Sequence, residues 1–220
     1  MHYDARVRDH GLPHDPFKAL VAPRPIGWIA TLDAQGRANL APYSFFNAVS
    51  DRPPMVVFSS GGYKHTLANV EATGEFTCSF ASDALRDAMN LSSAAVAEGV
   101  DEFELAGLSK AGSRFVMPPR VAAAPAALEC RLWKTIALPT EASGAPHTLV
   151  IGHVIGVYIA DAFIDGRGRV NTAGMRPVAR MGYVEYAVVT PDTAFEMVRP
   201  AVEADLRSAS IPARWDGTYR

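Results

Sequence analysis

The chain has little cysteine: two in 220 residues, Cys78 and Cys130. They are too far apart for a C-x-x-C redox motif and too few for a structural metal set. Each sits inside an apolar run, which predicts two buried thiols acting as small hydrophobes. Histidine is also scattered. His10 and His14 are four apart, but Gly11 and Pro13 prevent the helix that would align them as ligands. No metal site is expected. Neither sign of charge is in large excess, with 20% charged residues and a formal net charge of −2. That leaves no basic surface to hold a nucleic-acid backbone, and no acidic tail. No apolar run approaches the ~20 residues that cross a bilayer. The first fifteen residues, MHYDARVRDHGLPHD, lack the apolar centre of a secretory signal. The expectation is a cytoplasmic protein with neither nucleic acid nor membrane as partner. No G-x-G-x-x-G follows a strand, which argues against a Rossmann domain. No G-x-S-x-G occurs, which argues against a serine hydrolase of that type. There is no internal repeat, no low-complexity block and no linker-like stretch in the middle. One domain is expected, able to bury roughly 70–75% of its unfolded surface.

What the chain does have is a run of short apolar segments between breakers, from Arg24 to Thr66. Ile26 to Leu32, Ala38 to Tyr43 and Met55 to Ser59 read as strands. Asp33, Gln35 and Gly36 part the first two, predicting a hairpin with a loop of about four or five residues. Trp28, Ala30 and Leu32 fall on one side of the first strand, Ile29 and Thr31 on the other. Both sides are mostly apolar, so the strand should be central. Tyr43 to Ser50 reads as a loop carrying Phe45 and Phe46 among small polar residues. From residue types alone it is either a hydrophobic plug or a cradle for a flat ring, with Ser44, Asn47 and backbone N–H groups around Phe45 as donors.

Ser59-Ser60-Gly61-Gly62 then leads through Lys64 into a helical pattern from Thr66 to Thr73. Leu67 and Val70 should face inward and Gly74 should stop the helix. A Ser/Gly loop feeding a helix start suits a phosphate, because free N–H groups and the positive dipole end point outward. Lys64 adds a charge, and Thr66 a hydroxyl donor. The alternative for Lys64 is an ordinary surface lysine.

Pro16 to Ala22 reads as one helical turn with Phe17 and Leu20 inward. Glu75 to Phe80 reads as a strand with Phe76, Cys78 and Phe80 on one face. Ser82 or Asp83 should cap a helix carrying Leu85 and Met89. Asn90 to Gly107 carries Glu98, Asp101, Glu102 and Glu104, which a solvated helix face explains. Leu128 to Leu138 and Leu149 to Ala160 read as a long hairpin. Gly152 and Gly156 within it predict a bulge or a close backbone approach. His153 lies in the second arm and reads as a core or interface histidine. Arg176 to Tyr186 is rich in Arg, Met and Gly, a composition enriched at interfaces. About eight strands with short helices predict a mostly β fold, a closed barrel with helical decorations. The expected division is an arm over 1–22, the barrel over 23–190 and a tail over 191–220.

The order of several motifs resembles the flavin reductase-like family of FMN-binding split β-barrels. The matching pieces are Arg24-Pro25-Ile26-Gly27-Trp28, Asn39 to Asn47, Lys64-His65-Thr66, Gly74-Glu75-Phe76, Met89-Asn90 with Ser92-Ser93, Asp101 to Glu104 with Ala106-Gly107-Leu108, and Ala179-Arg180-Met181-Gly182 with Tyr186. The resemblance covers roughly Pro23 to Val189. It implies FMN as cofactor, NADH or NADPH as electron donor, and a homodimer closing the flavin cleft. It implies Ser59, Lys64 and Thr66 at the phosphate, Thr31 along the ribityl chain, and Ser44, Phe45 and Asn47 at the ring. Arg180 would reach the flavin of the other chain or brace the loop that does. The 90–107 excursion would partly cover the flavin. Some members use a histidine near the flavin, and His153 cannot be matched to it. Other readings are an FMN-carrying electron-transfer protein without its own NAD(P)H activity, and a split barrel that binds no flavin.

Overall fold

The computed structural model describes residues 1–141, 144–202 and 208–215. After a single helical turn, α1 (Phe17–Leu20), come β1 (Arg24–Pro25), β2 (Gly27–Leu32), β3 (Ala38–Tyr43), β4 (Phe46–Asp51) and β5 (Pro54–Gly61). Next are α2 (His65–Thr73), β6 (Glu75–Phe80), α3 (Arg86–Leu91) and α4 (Glu102–Leu105). The short strands β7 (Lys110–Ala111) and β8 (Arg120–Val121) lead to the long hairpin of β9 (Ala126–Ala137) and β10 (His147–Ile159). β11 (Val178–Arg180) and β12 (Tyr186–Val188) follow. The fold is mostly β with helical decorations.

Seven strands form the main sheet in the order β3-β2-β6-β9-β10-β5-β4. The two edge strands, β3 and β4, are neighbours in the chain, joined only by Ser44 and Phe45. Their edges are brought back together across that joint. The Ser59 amide of β5 donates to the Phe45 carbonyl at 2.9 Å, and the Tyr43 and Phe58 rings lie 4.8 Å apart. The seam therefore falls at Ser44-Phe45. The expected loop from Tyr43 to Ser50 is thus mostly strand, because Phe46 to Asp51 pairs with β5. β5 likewise runs on through Ser59, Ser60 and Gly61, which pair with β10 opposite Leu149, Thr148 and His147. The expected Ser/Gly loop is reduced to Gly62 and Tyr63.

β2 is central, and its two faces feed two cores. Ile29 packs with Phe58, Leu67, Val70, Phe76 and Val150. Trp28 and Ala30 pack with Leu40, Met89, Phe103 and Val121. Leu67 and Val70 attach α2, which ends at Gly74 in the left-handed region (φ 73°). Cys78 and Cys130 are buried free thiols, as expected. Register shifts flank Gly152 and Gly156. A side chain at Gly152 would overlap the Phe76 ring, and one at Gly156 the Phe115 ring. The glycines are where the hairpin admits a ring from the neighbouring layer.

Two further expectations fail. Phe17 and Leu20 do not face inward; they are 58% and 76% exposed, because α1 is too short to bury a face within one chain. Glu102 is not on a solvated helix face. It is 4% exposed, since α4 packs against β3.

Candidate functional site

A cavity of about 590 Å³ opens at the seam. Its volume lies within the ~300–1,000 Å³ of small-molecule sites. The strands and the start of α2 bring together five residues singled out in the sequence: Ser44, Phe45, Ser59, Lys64 and Thr66. Ser92 to Val96 form another wall. That wall is tied down by Trp28, whose Nε1 donates to Ser92 Oγ at 2.9 Å, while Ser92 Oγ donates to the Met89 carbonyl at 2.8 Å.

The first turn of α2 supplies part of the chemistry. Lys64 precedes it in extended conformation, and no side chain caps the helix. The first amide bonded back within the helix is that of Ala68, to the Lys64 carbonyl. The N–H groups of His65, Thr66 and Leu67 therefore have no intrahelical acceptor. The lysine is exposed. Thr66 differs from expectation in one respect. Its hydroxyl donates to Asn39 Oδ1 at 2.7 Å, so the side chain faces the cavity as an acceptor and its amide remains the donor.

Behind Thr66 lies a buried polar chain. Asn69 Nδ2 donates to Thr31 Oγ1 at 3.0 Å. Thr31 donates in turn to Asn39 Oδ1 at 3.4 Å. Asn39 Nδ2 donates to Glu102 Oε1 at 2.8 Å, and the Leu40 amide to Glu102 Oε2 at 2.9 Å. Thr31 is fully buried here and supports Asn39 from behind instead of lining the cavity. Asn39 and Glu102 do line it.

The same cavity is lined by Phe45, Ser44 and two residues not singled out in the sequence, Tyr43 and His147. His147 Nδ1 lies 3.1 Å from Ser59 Oγ, and its ring centroid 6.0 Å from that of Phe45. Its place follows from the β5–β10 register, which sets His147 opposite Gly61; no local signal announces it. Tyr43 Oη is buried without a hydrogen-bond partner. Burial pushes this phenol above its ordinary range, with the nearby Thr66 and Ser60 hydroxyls offsetting part of the effect.

Besides Thr31, two selected residues stand outside this cavity. Asn47 is exposed on the edge strand β4, its Oδ1 accepting from the Ala48 amide at 2.9 Å. Arg180 lies on β11, donating to Tyr186 Oη at 2.5 Å and to the Tyr183 carbonyl, with its guanidinium 4.6 Å from the Tyr186 ring centroid. Arg24 pairs in register with Arg180 and is 7% exposed. It donates to the Lys18, Val21 and Met181 carbonyls and sits 5.8 Å from the Phe45 ring centroid. His153 pairs with Met55 and Arg131 and does not line the cavity. Among the described residues no group of His, Cys, Asp and Glu could hold a metal ion. Among them too, no helix is long and apolar enough to cross a membrane.

Residues 20–173 match the family described as flavin reductase like domain, and the chain belongs to that family. A relative from Deinococcus radiodurans, itself uncharacterised, is 37% identical over 209 residues, covering 90% of this chain and 89% of that protein. Among solved structures, nitrilotriacetate monooxygenase component B from Bacillus cereus superposes with a TM-score of 0.79 at 27% identity, covering 90% of this chain and 98% of that one. The 2-nitrobenzoate 2-nitroreductase of Pseudomonas fluorescens gives 0.77 at 27% identity, covering 96% of this chain and 100% of that one. A flavoredoxin of Desulfovibrio vulgaris shares the fold, with a TM-score of 0.69 at 23% identity over 83% of this chain and 93% of that one.

Proposed function

We propose that the protein binds FMN at the seam and passes hydride to it from NADH or NADPH, as a homodimeric oxidoreductase of flavin reductase type. The observation that carries this reading is the shared cavity. It brings a lysine and free helix amides into one cavity with a phenylalanine and small polar groups. The residues fit the group. An orphaned, buried phenol on the cavity wall, Tyr43 Oη, lacks the hydrogen bond that a polar ligand would supply. The names of two solved relatives, an oxygenase component and a nitroreductase, support a redox role.

When bound, the flavin supplies the redox chemistry. The chain binds and orients. Lys64 and the amides of His65, Thr66 and Leu67 would hold the phosphate. Asn39, fixed by Glu102 and Thr66, would present a rigid edge along the ribityl chain. Phe45 would give flat contact, and Ser44 with neighbouring backbone would meet the polar edge of the ring. No side chain is assigned a proton in the chemistry that the flavin would supply; the chain's part would be to bind and to orient it.

Asn47 and Arg180 are assigned to the partner's site. β4 touches β1, and β1 pairs with β11, so both residues lie where these three strands run together. The same side carries exposed apolar residues: Phe17, Leu20 and Val184, with Tyr183 half-exposed. Apolar surface of this kind suits a second copy of the chain.

The test is mass spectrometry of the cofactor that co-purifies, then anaerobic stopped-flow mixing with NADH and with NADPH. Rapid bleaching of flavin absorbance by either donor is expected. Bound FMN that neither donor reduces would make the protein an electron carrier. Failure to bind any flavin, even after loading, would leave only a binding module.

A further inference from the structure

Arg24 is a buried cation without a counter-charge. It is 7% exposed, yet the acceptors it reaches are all neutral: the Lys18, Val21 and Met181 carbonyls. Its Nε is buried with no hydrogen-bond partner. Among the described residues, the charged group that bears on it is Arg180, its partner in the β1–β11 register, which has the same sign. Burying a charge unpaired is costly, and a neutral donor could serve carbonyls. Arg24 Cζ lies 5.8 Å from the Phe45 ring centroid. Phe45 lines the cavity at the seam, and Arg24 stands behind it, outside the lining.

We infer that Arg24 is an electrostatic positioning residue, a fixed cation behind Phe45 that makes the cavity prefer reduced flavin to oxidised flavin. The inference rests on the flavin reading above, with Phe45 against the ring. Two electrons and one proton taken up by the ring leave it with one net negative charge. A cation one phenyl ring away therefore acts on the difference between the two states. Its orientation is set in advance by the three carbonyls, so little reorganisation is needed when the charge arrives. At roughly 10 Å and an effective dielectric constant of about 20, the attraction is worth about tenfold in an equilibrium constant. Burial and then Arg180 lower the affinity of Arg24 for its proton, but an arginine keeps its charge.

Arg24 also has a mechanical part. It ties the end of α1 to the Met181 backbone. α1 sits so close to that loop that a Cβ at Gly182 would meet Ala19 Cβ at 2.7 Å. A residue that only held α1 in place would affect both states of the flavin alike. A charge would not, and that difference separates the two roles.

Wild-type protein, Arg24→Gln and Arg24→Lys are titrated at pH 7 with oxidised FMN and, anaerobically, with dithionite-reduced FMN. A melting curve checks that each variant folds. In Arg24→Gln, reduced FMN should weaken about tenfold more than oxidised FMN. That ratio lowers the potential of the bound flavin by about 30 mV for a two-electron couple, which a dye-coupled titration reads independently. Arg24→Lys keeps the charge and should stay within about threefold of the wild-type ratio. Equal weakening of both forms in Arg24→Gln would leave Arg24 only its mechanical part and overturn the inference. If Arg24→Gln unfolds, Arg24→Lys is followed from pH 7 to pH 10 beside the wild type. Burial lowers the pKa of a lysine, so its ratio should fall about tenfold below that of the wild type as its charge is lost. Parallel curves would overturn the inference. A wild-type protein that binds neither form of FMN overturns the flavin reading itself; one that binds both, with the ratio unmoved in Arg24→Gln, overturns only the role of Arg24.

Discussion

Glu102 accepts hydrogen bonds from the Asn39 side chain and the Leu40 amide, and by doing so decides which way the Asn39 amide points. With Nδ2 on the carboxylate, Oδ1 must face Thr66 and Thr31. Glu102 thus sets the polarity of a cavity wall although its own backbone lies more than sixty residues further along the chain. Glu102→Ala strands two buried donors, each costing about 1–3 kcal/mol. The expected loss is roughly 2–4 kcal/mol, read as a lower urea midpoint with an unchanged slope. Glu102→Gln retains one acceptor oxygen and should lose less. A midpoint shift worth under about 0.5 kcal/mol for Glu102→Ala would return Glu102 to the solvated face that its sequence neighbourhood suggested.

Lys64→Ala removes a charge-assisted hydrogen bond worth about 1.5–3 kcal/mol. FMN binding should weaken by roughly 10- to 150-fold, and riboflavin binding should barely change. Equal losses for both flavins, measured by fluorescence titration, would move the phosphate away from α2.

Arg180 and the exposed α1 face bear on assembly. If the partner completes the site, FMN should stabilise the dimer by linkage. Sedimentation over a dilution series should show the apo-protein dissociating at higher concentration than the FMN-loaded protein, and Arg180→Ala should shrink that difference. A monomer with full flavin occupancy would show that one chain closes its own cleft.

Burial raises the Cys78 thiol to about 12 from its ordinary 9.0, with the Trp28 backbone offsetting part of it. Two consequences follow. In the folded protein the thiol should resist a thiolate-selective reagent at pH 8 and react once urea unfolds the chain. The folded state also keeps this proton between pH 9 and 12 while the unfolded state releases it. Stability is therefore full below about pH 9 and falls as pH rises toward 12. Cys78→Ala should flatten the alkaline limb of melting temperature against pH, and an unchanged limb would exclude this thiol as its source.

Gly152→Ala places a methyl group against the Phe76 ring. Overpacking of this sort costs about 1–3 kcal/mol, or very roughly 2–10 °C in melting temperature for a chain of this size. A neutral result would mean the hairpin shifts freely at its bulge.

Much of the barrel could be read from the chain because its strands are short and its breakers strong. Asp33 to Gly36 ends β2, Gly74 ends α2, and each did so where expected. Lys64 and Thr66 were legible because helix starts have local chemistry. Glu102 and His147 were not. A glutamate among Asp101, Glu104 and alanines looks solvated, and only packing against β3 buries it. His147 follows a Ser/Gly/Pro loop that partly lies outside the described residues, and only the register with β5 brings it to Ser59. Phe46 to Ser50 was mistaken for loop because its polar residues mask an edge strand, which needs partners on one side only.

The joint between β3 and β4 has a consequence for how this chain can vary. Ser44 and Phe45 are the whole connection between the sheet's two edges, and both line the cavity. An insertion there would part the edges and the ring platform at one stroke. The stretch from Ser93 to Val100 has no strand partner and forms only a wall. Length changes confined to it would reshape what can approach the cavity while leaving the barrel's hydrogen-bonded ladder uncut. Diversification by indels among relatives should therefore concentrate in that wall and spare the dipeptide at the seam.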